Sequence, residues 1–432
     1  MAATRNQHST DRQTAASSAP LARGVLYLAF ELGWSDWKLA FATGPADNPR
    51  LRTIGGRNTQ SLLQEIAKAK KRFGLDEDAP VRSCYEAGRD GFWLHRFLES
   101  QGIVNEVVDS SSIEVKRQGR RRKTDRLDAC KLLSMLIRWH QGEQDVWSVV
   151  QIPSVADEDR RQLHRDLLEL KAQRTQHTNR IKGLLAGYGL DVPRVDKDFP
   201  EMLAKLRMWD GQAVPPELQQ RLRREHERWQ LVDRQIKDLE NERARRVRAT
   251  PKKAVPSAPD SADESALAKI RTLLLLRGIG INCAWLYVME FFAWRRIRNR
   301  KQLAALAGLA PTPYDSGDSS HEQGISKAGN RRLRTMAVEI AWGWLRYQPK
   351  SALSEWYERR FGKGSSRQRR IGIVALARKL LVALWRFLET GAVPAGAAIV
   401  TSKKGLRAGL TEATEATEAT EAAEAAFAEP CA

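Results

Sequence analysis

The sequence predicts an α/β domain with a mixed sheet, followed by a pair of long charged helices and a mainly helical region. Short apolar segments of strand length come first, and alternating strands and helices follow them up to about residue 150. That order is typical of an α/β domain. Apolar residues then recur at spacings of four and three between residues 155 and 249, among many charges, which indicates long paired helices. Helical spacing returns after a segment rich in Pro and Lys.

The charge balance points to the class of partner. The 432 residues include 72 Lys and Arg against 52 Asp and Glu, a formal net charge of +20. An excess spread over several segments indicates a polyanion, most often nucleic acid. The four cysteines form no CxxC pair, so neither a zinc module nor a disulfide framework is indicated. No signal-peptide core and no apolar membrane span are seen, so we expect a cytoplasmic protein without membrane contact.

The first domain is assigned to residues 23–150, after a terminus expected to be disordered over residues 1–22. It opens with a hairpin whose two strands lie in VLYLAFEL and WKLAFAT, joined by a turn at residues 33–36. The further elements are strands at 51–55, 81–86 and 104–108, helices at 59–73 and 92–100, and a helix from residue 125.

A basic loop leads into this last helix. Its cations are Lys116, Arg117, Arg120, Arg121, Arg122 and Lys123. Thr124 is a suitable N-cap. Asp125 and Asp128 are three residues apart, and therefore project from one helix face. Two carboxylates beside a cationic run suit a divalent metal held against a phosphate. The alternative is that Asp is simply favoured in the first turn by the helix dipole.

Two further acids end apolar strands. Glu31 stands between Phe30 and Leu32, and Glu86 follows Tyr85. A carboxylate there is costly unless it is paired, exposed or bound to a cation. Either residue alone would usually be a surface residue. Four acids gathered by one sheet would bind two divalent ions, Mg²⁺ or Mn²⁺, as phosphodiester chemistry requires.

The rest of the chain divides into an arm, a linker, a C-terminal region and a tail. We assign a coiled-coil arm to 151–249, suited to dimerisation, and a linker to 250–264. A helical C-terminal domain spans 265–392, with helices at 330–347 and 366–390, and a disordered acidic tail spans 393–432. Gly278 and Gly280 resemble a helix-hairpin-helix turn, whose backbone amides approach DNA phosphates. A tight core turn would leave the same pattern.

Motifs from both ends of the chain carry a family resemblance. They are LYLAFELGWSDWKLAF, CYEAGRDGFWLHRFL and RRRKTDRLDACKL, and then RGIGINCAWLYVMEFF, AALAGLAPTPYDSG, GISKAGNRRLR and IVALARKLLVALW. In order and spacing these segments resemble the DEDD insertion-sequence transposases, in which a RuvC-like, ribonuclease-H-fold domain is joined to a serine-bearing C-terminal domain. The resemblance implies an acidic tetrad at Glu31, Glu86, Asp125 and Asp128.

The resemblance also implies the nucleophile. It places the catalytic serine at Ser316, in the pair Ser316-Gly317; the nearby alternatives are Ser319, Ser320 and Ser326, of which Ser326 ranks second. One departure from the family pattern concerns the first acid, which is usually Asp and is Glu31 here. The substitute for it is Asp36, in the following turn.

The function implied is a bacterial, nucleoid-associated DNA recombinase. It would cut and exchange donor and target duplex DNA through a serine–phosphate linkage, guided by a structured RNA and working as a dimer or tetramer. We expect nucleic-acid contacts at the basic loop 116–123 and at Arg295, Arg296, Lys327, Arg331 and Arg332. The rival functions are a junction-resolvase-like, metal-dependent DNA endonuclease that uses the tetrad alone, and an inactive nucleic-acid-binding remnant.

Overall fold

The computed structural model describes residues 24–113, 125–249, 261–316 and 319–400. Within them the side chains of residues 125, 261–263, 314–316 and 319–323 are not described. The chain divides into two compact units, Met1–Ile152 and Pro153–Ala432. Along the described ranges, no helix combines the length and apolar character that a membrane crossing requires.

The first unit is a five-stranded mixed sheet with helices on both faces. The strand order is β3-β2-β1-β4-β5, with β1 antiparallel to β2 and parallel to β4. The predicted strands and helices are confirmed to within about two residues at each end. The elements are β1 Leu26–Leu32, β2 Asp36–Ala42, β3 Arg50–Gly55, α1 Thr59–Arg72, β4 Val81–Glu86, α2 Trp93–Ser100, β5 Val104–Val108 and α3 Asp125–His140.

The two faces of the sheet bury different side chains. Because successive residues of a strand point to opposite faces, Leu28 and Phe30 of β1 join a core with α1 and α2, whereas Ala29 joins a core with α3. The α3 face is lined by small residues, including Ala40 and Cys84. Small residues let the helix backbone lie close to the strands.

The second unit begins with the predicted arm. Its elements are α4 Val155–Arg160, α5 Gln162–Ala186, α6 Phe199–Lys205 and α7 Pro216–Arg248. Arg174 pairs with Asp233 at 3.0 Å, and further along α5 His177 meets Glu225 of α7 at 2.6 Å. The partners descend α7 as they ascend α5, so the two helices are antiparallel.

The helical region after the arm has one large core and one hairpin. Its elements are α8 Ser261–Leu273, α9 Ile281–Tyr287, α10 Arg300–Leu306, β6 Pro311–Ser316, β7 Ser319–Ile325, α11 Arg331–Tyr347, α12 Ala352–Tyr357 and α13 Ser366–Thr390. The β6–β7 hairpin was not predicted. Pro311 and Pro313 prevent helix there, but an isolated two-stranded pair has no apolar alternation to reveal it.

Two predicted boundaries are wrong. The linker 250–264 ends early, because α8 begins at Ser261; residues 250–260 lie outside the described residues. The tail 393–432 begins too early, since Ile399 bridges to Leu276, the Ala398 carbonyl accepts from the Gln348 side chain, and the Ala398 amide N–H donates to it. Backbone hydrogen bonds anchor this Ala- and Gly-rich segment, and composition does not signal them. The predictions for 1–22 and 401–432 concern residues outside the description.

The glycine turn between α8 and α9 is tightly packed. Gly278 has φ +86°, and a Cβ there would lie 2.8 Å from Cβ of Tyr347. The Arg277 amide donates to Ala398 and the Ile279 amide donates to Leu276. These two amides therefore have protein acceptors, which agrees with the tight core turn left open by the sequence. The helix-hairpin-helix role stays a prediction.

Candidate active site

The carboxyl ends of β1 and β4 bring two acids side by side. These strands are parallel neighbours with Phe30 opposite Tyr85, so the next residues, Glu31 and Glu86, are also opposite one another. Adjacent strands are about 4.8 Å apart. Ala29 and Cys84 precede the acids by two residues and belong to the core with α3. Strand alternation therefore puts both acids on the α3 face of the sheet.

The direction of α3 decides where its aspartates lie. At its end, His140 meets the first residues of β1 and β4: its ring centroid is 5.9 Å from that of Tyr27, and Nδ1 is 3.1 Å from an Arg82 nitrogen. In its middle, the Leu132 carbonyl accepts from Cys84 Sγ at 3.7 Å. The helix thus runs antiparallel to the two strands, and it begins at their carboxyl ends.

The levels of the acids along the sheet also correspond. From Leu132 back to Asp128 is four helical residues, about 6 Å. From Cys84 forward to Glu86 is two strand residues, about 6.6 Å. Asp128 therefore lies near the level of Glu86, and Asp125 begins the helix one turn further out.

The exposure of these residues leaves them accessible. Glu86 is exposed, and Glu31 and Asp128 are half-buried, while the Asp125 side chain is not described. Among the described side chains, no three His, Cys, Asp or Glu form a group that could hold a metal. The four residues are all carboxylates, and hard oxygen donors of this kind are the ligands that Mg²⁺ and Mn²⁺ prefer. Residue type and backbone placement therefore fit such an ion.

Asp36, the substitute for Glu31, is already engaged. Its carboxylate accepts from Lys38 Nζ at 2.6 Å and from the Ser35 hydroxyl at 3.2 Å. The hydrogen bonds from Lys38 and then Ser35 lower the pKa of Asp36. Lys38 is also the strand partner of Glu31. To bind a metal, Asp36 would have to give up this lysine.

Ser316 ends β6 in the second unit and pairs across the hairpin with Ser319. Its neighbour Gly317 lies outside the described residues, and its side chain and those of Ser319 and Ser320 are not described. Ser326 is half-buried, and its amide donates to Ala310 at 2.8 Å. The candidate serines thus belong to a hairpin in the second unit, whereas the four acids belong to the first.

The segment after the hairpin presents three of the predicted cations. Lys327 has φ +55°, and its carbonyl accepts from Arg334 at 2.9 Å. Asn330 caps α11 by accepting from the Arg332 amide at 2.9 Å. Lys327, Arg331 and Arg332 are all exposed around this capped helix start. Such a cluster is suited to phosphate.

Arg295 and Arg296 follow the π-helical turn Val288–Phe292. Arg295 is half-buried and stacks over the Trp294 ring at 4.3 Å, whereas Arg296 is exposed. Arg295 is therefore held against an aromatic surface. The remaining predicted contacts, Lys116, Arg117, Arg120, Arg121, Arg122 and Lys123, lie outside the described residues.

A buried carboxylate ties the arm to the serine-bearing region. Glu290 is 1% exposed and accepts from His164 at 2.9 Å and from Arg165 at 2.7 Å, both at the base of α5. Asn330, the cap of α11, donates to it at 3.4 Å. Burial alone would raise the pKa of Glu290, but the hydrogen bonds from His164 and Arg165 outweigh it and hold the pKa well below its usual range.

Sequence reasoning missed Glu290 and an aromatic–arginine group around Trp34. A lone Glu inside the apolar run WLYVMEFF was the available signal for Glu290, because an acid there needs a buried partner. Trp34, Arg57, Arg89 and Asp90 meet only through the folding of three loops. No spacing along the chain announces that group.

Comparison with known proteins identifies the family of this chain. A model described as "Transposase IS116/IS110/IS902 family" matches residues 270–356, which include the β6–β7 hairpin and the start of α11. "Putative transposase y4rJ" of Sinorhizobium fredii is 37% identical over 396 residues, covering 90% of this chain and 98% of that protein. The chain belongs to the IS116/IS110/IS902 transposase family.

Two more distant relatives of this family are transposases of named insertion sequences. One, for element IS1328 of Yersinia enterocolitica, is 26% identical over 54% of this chain and 63% of that protein. The other, for element IS1111A of Coxiella burnetii, is 27% identical over 60% of this chain and 64% of that protein. The likeness to y4rJ extends over both units and the arm.

Proposed function

We propose that this family member is a DNA transposase that cuts and joins DNA strands with a carboxylate-bound metal and a serine. Family membership supports a transposase or recombinase acting on DNA. The finer chemistry rests on one observation: Glu31, Glu86 and the start of α3 meet at one end of one sheet face. The same placement is the reason to propose a ribonuclease-H-like, RuvC-like character for the first unit.

Glu31, Glu86, Asp125 and Asp128 would hold Mg²⁺ or Mn²⁺. When bound, such ions stabilise charge on the oxygens that attack and leave a phosphodiester. Glu86 reaches the solvent, and Asp125 opens the helix, so a DNA strand could approach from the open end of the sheet.

Ser316 would supply the attacking oxygen. Its Oγ forms a bond to phosphorus while one P–O bond of the DNA backbone breaks; the serine proton passes to solvent and the departing strand takes up a proton as a hydroxyl. A second strand's hydroxyl then attacks the serine phosphoester, which restores Ser316 and a DNA phosphodiester. Serine requires activation for this step, and the metal site would assist once the two units act together on one phosphate.

The remaining partners are proposed from charge and resemblance. Lys327, Arg331 and Arg332 surround the capped start of α11 a few residues after the serine hairpin, and would hold phosphates of the bound strand. A structured guide RNA and a dimer or tetramer complete the proposal. Sequencing the RNA that copurifies with the protein from its host tests the first: a single structured species supports guidance, and only unrelated cellular RNA contradicts it.

Covalent capture separates the transposase proposal from its rivals. Ser316→Ala should abolish the protein–DNA adduct trapped by denaturation on a DNA carrying the element's own end. Ser326→Ala, a serine on the same segment, is the matched control and should keep the adduct. If Ser316→Ala kept the adduct, the nucleophile would be a residue other than Ser316.

A metal-dependent endonuclease is the second candidate, and one observation favours it. All four acids lie in the first compact unit, so that unit could be complete for hydrolysis by itself. In that case Ser316→Ala would still nick DNA, whereas Asp128→Asn would not. If neither variant changed any DNA-dependent property, the protein would be the inactive remnant.

A further inference from the structure

Three loops meet at the carboxyl end of the sheet in the first unit. They are the turn after β1, the residues after β3 and the residues after β4. The Gly56 amide donates to the Ser35 carbonyl at 2.8 Å, and a Cβ on Gly56 would lie 2.8 Å from the Trp34 carbonyl oxygen. Only glycine allows this approach, so the first two loops are held together by their backbones.

The three loops present one indole and two guanidiniums. Trp34 is 68% exposed. Cζ of Arg57 lies 4.4 Å from the Trp34 ring centroid, and Cζ of Arg89 lies 5.0 Å from it. Both distances are within the range of a cation–π contact. We refer to Trp34, Arg57, Arg89 and Asp90 as the Trp34 cluster.

The buried side chain of Asp90 contacts both arginines of the cluster. The side chain of Asp90 is 6% exposed, with its oxygens 3.0 Å from Arg57 Nη2 and 3.7 Å from Arg89 Nη2. Arg57 also donates to the Trp34 carbonyl at 3.2 Å and has φ +64°. A left-handed backbone is uncommon for arginine and costs energy. Arg57 adopts this conformation despite its energy, and its guanidinium lies over the Trp34 ring.

The cluster has more surface than loop packing requires. The backbone bond from Gly56 already joins the first two loops, yet the side chains of Arg57 and Arg89 remain 41% and 56% exposed beside an indole that is mostly in solvent. Aromatic rings with adjacent arginines are the surfaces that unpaired nucleic-acid strands use, since bases stack on the ring and phosphates accept from the guanidinium.

The position of the cluster identifies the strand. Trp34 is three residues after Glu31, and Arg89 is three residues after Glu86, so each pair of Cα atoms is at most about 11 Å apart. Successive phosphates of one DNA strand advance about 3.4 Å along the axis. We propose that the Trp34 cluster binds the unpaired DNA strand a few nucleotides from the phosphate that is cut. The identity of this strand rests on the proposed function; its binding does not.

Binding is measured on the full chain in EDTA, so that no cleavage occurs. The probes are a fluorescently labelled 20-nucleotide DNA of mixed sequence and the duplex of that sequence. Trp34→Ala should weaken single-strand binding at least about five-fold, the lower end of a lost base–aromatic contact, with a smaller change for the duplex. Trp209→Ala, which removes an indole that is 92% exposed in the arm, should bind as the unaltered protein does.

A second pair of variants separates charge from position. Arg89→Gln should weaken single-strand binding more than Arg52→Gln, although each removes one positive charge from an exposed arginine of the same unit. Unchanged thermal unfolding of Arg89→Gln, which alters an exposed side chain, provides the comparison if Trp34→Ala fails to fold. The proposal is overturned if Arg89→Gln and Arg52→Gln weaken single-strand binding equally. It is also overturned if Trp34→Ala weakens binding of the single strand and of the duplex equally.

Photo-crosslinking gives a direct reading without substitution. A single-stranded DNA carrying 5-iodouracil should yield an adduct on the peptide that contains Trp34; adducts confined to other peptides overturn the proposal. The two hypotheses fail separately. Ser316→Ala should bind the single strand normally even though it forms no covalent adduct, whereas Trp34→Ala should bind it weakly with Ser316 intact.

Discussion

Nδ1 of His140 lies 3.1 Å from an Arg82 guanidinium nitrogen at the end of α3 opposite to Asp125 and Asp128. Since Arg82 is always a donor, His140 accepts through Nδ1 and is therefore neutral. This contact, together with the bond from Cys84 to Leu132, shows the direction of α3. Because of this direction, the helix begins at the end of the sheet that carries Glu31 and Glu86.

Acidification should lower the stability of the folded chain through His140. Burial, and then the charge of Arg82, lowers the pKa of His140 from 6.5 to about 4. Between those values the unfolded chain binds the extra proton and the folded chain does not, so stability falls as pH decreases from 6.5 to about 4. His140→Gln keeps an acceptor but does not titrate. Its unfolding midpoint should depend less on pH over this window than that of the unaltered protein; identical slopes would contradict the assignment.

Glu86→Gln should stop DNA cleavage without harming the fold. Glu86 is exposed, so losing its charge leaves no buried group unpaired, whereas a metal loses an anionic ligand. Strand cleavage in Mg²⁺ and the thermal midpoint are the two measurements. Glu77→Gln, an exposed acid elsewhere in the unit, should leave both unchanged. Full cleavage by Glu86→Gln would remove Glu86 from the tetrad.

Glu31→Asp tests the departure from the family pattern. Aspartate at the end of β1 would restore the usual residue, and we expect cleavage to be kept with an altered preference between Mg²⁺ and Mn²⁺, because the shorter side chain changes ligand geometry. Glu31→Gln should abolish cleavage. Similar cleavage by both variants would assign the first position to another residue, with Asp36→Asn as the next variant to measure.

Glu290→Gln should destabilise the second unit. A neutral amide would leave Arg165 beside a site that is 1% exposed without its anionic partner, and removing one member of a buried ion pair typically costs about 3–5 kcal/mol. Denaturant unfolding measures the loss. Glu169→Gln, an exposed acid on the same helix α5, should change stability by less than about 0.5 kcal/mol. A comparably small effect at Glu290 would mean that the network contributes little.

Gly278→Ala should cost more than Gly74→Ala. Both glycines have positive φ, but a Cβ at 278 would lie 2.8 Å from Cβ of Tyr347, whereas one at 74 would meet nothing within 4 Å. The backbone penalty is shared, of order 1 kcal/mol, so the difference between the two variants measures the steric clash. Equal unfolding free energies would show that Tyr347 moves away without cost.

The elements predicted correctly are those whose sequence signals lie within one continuous segment of the chain. The strand Val81–Glu86 and the helix Ser366–Thr390 were predicted at the observed bounds, because turn residues flank the first and Ser365 caps the second. Apolar periodicity within one segment was enough for both. The acids at the ends of β1 and β4 were proposed to be gathered by one sheet because each ends an apolar strand, and their place in one tetrad came from the family resemblance.

The failures involve contacts between distant segments. The residues around Ile399 carry no periodicity, and their order depends on backbone bonds to Leu276 and Gln348. Asp90 contacts Arg57, which lies 33 positions earlier in the chain, as well as the adjacent Arg89. Glu290 meets His164 over a separation of 126 residues. Composition and spacing contain no record of such partners.

The bond from Asn330 to Glu290 connects the start of α5 with the segment that follows the serine hairpin. The same carboxylate takes hydrogen bonds from the root of α5 and from the residue that caps α11. A tilt of α5 would therefore displace Asn330, the N-cap of α11. Lys327 and strand β7, which precede Asn330 in the chain, would move with it. A change in the tilt of α5 would in this way change the position of the hairpin that carries Ser316.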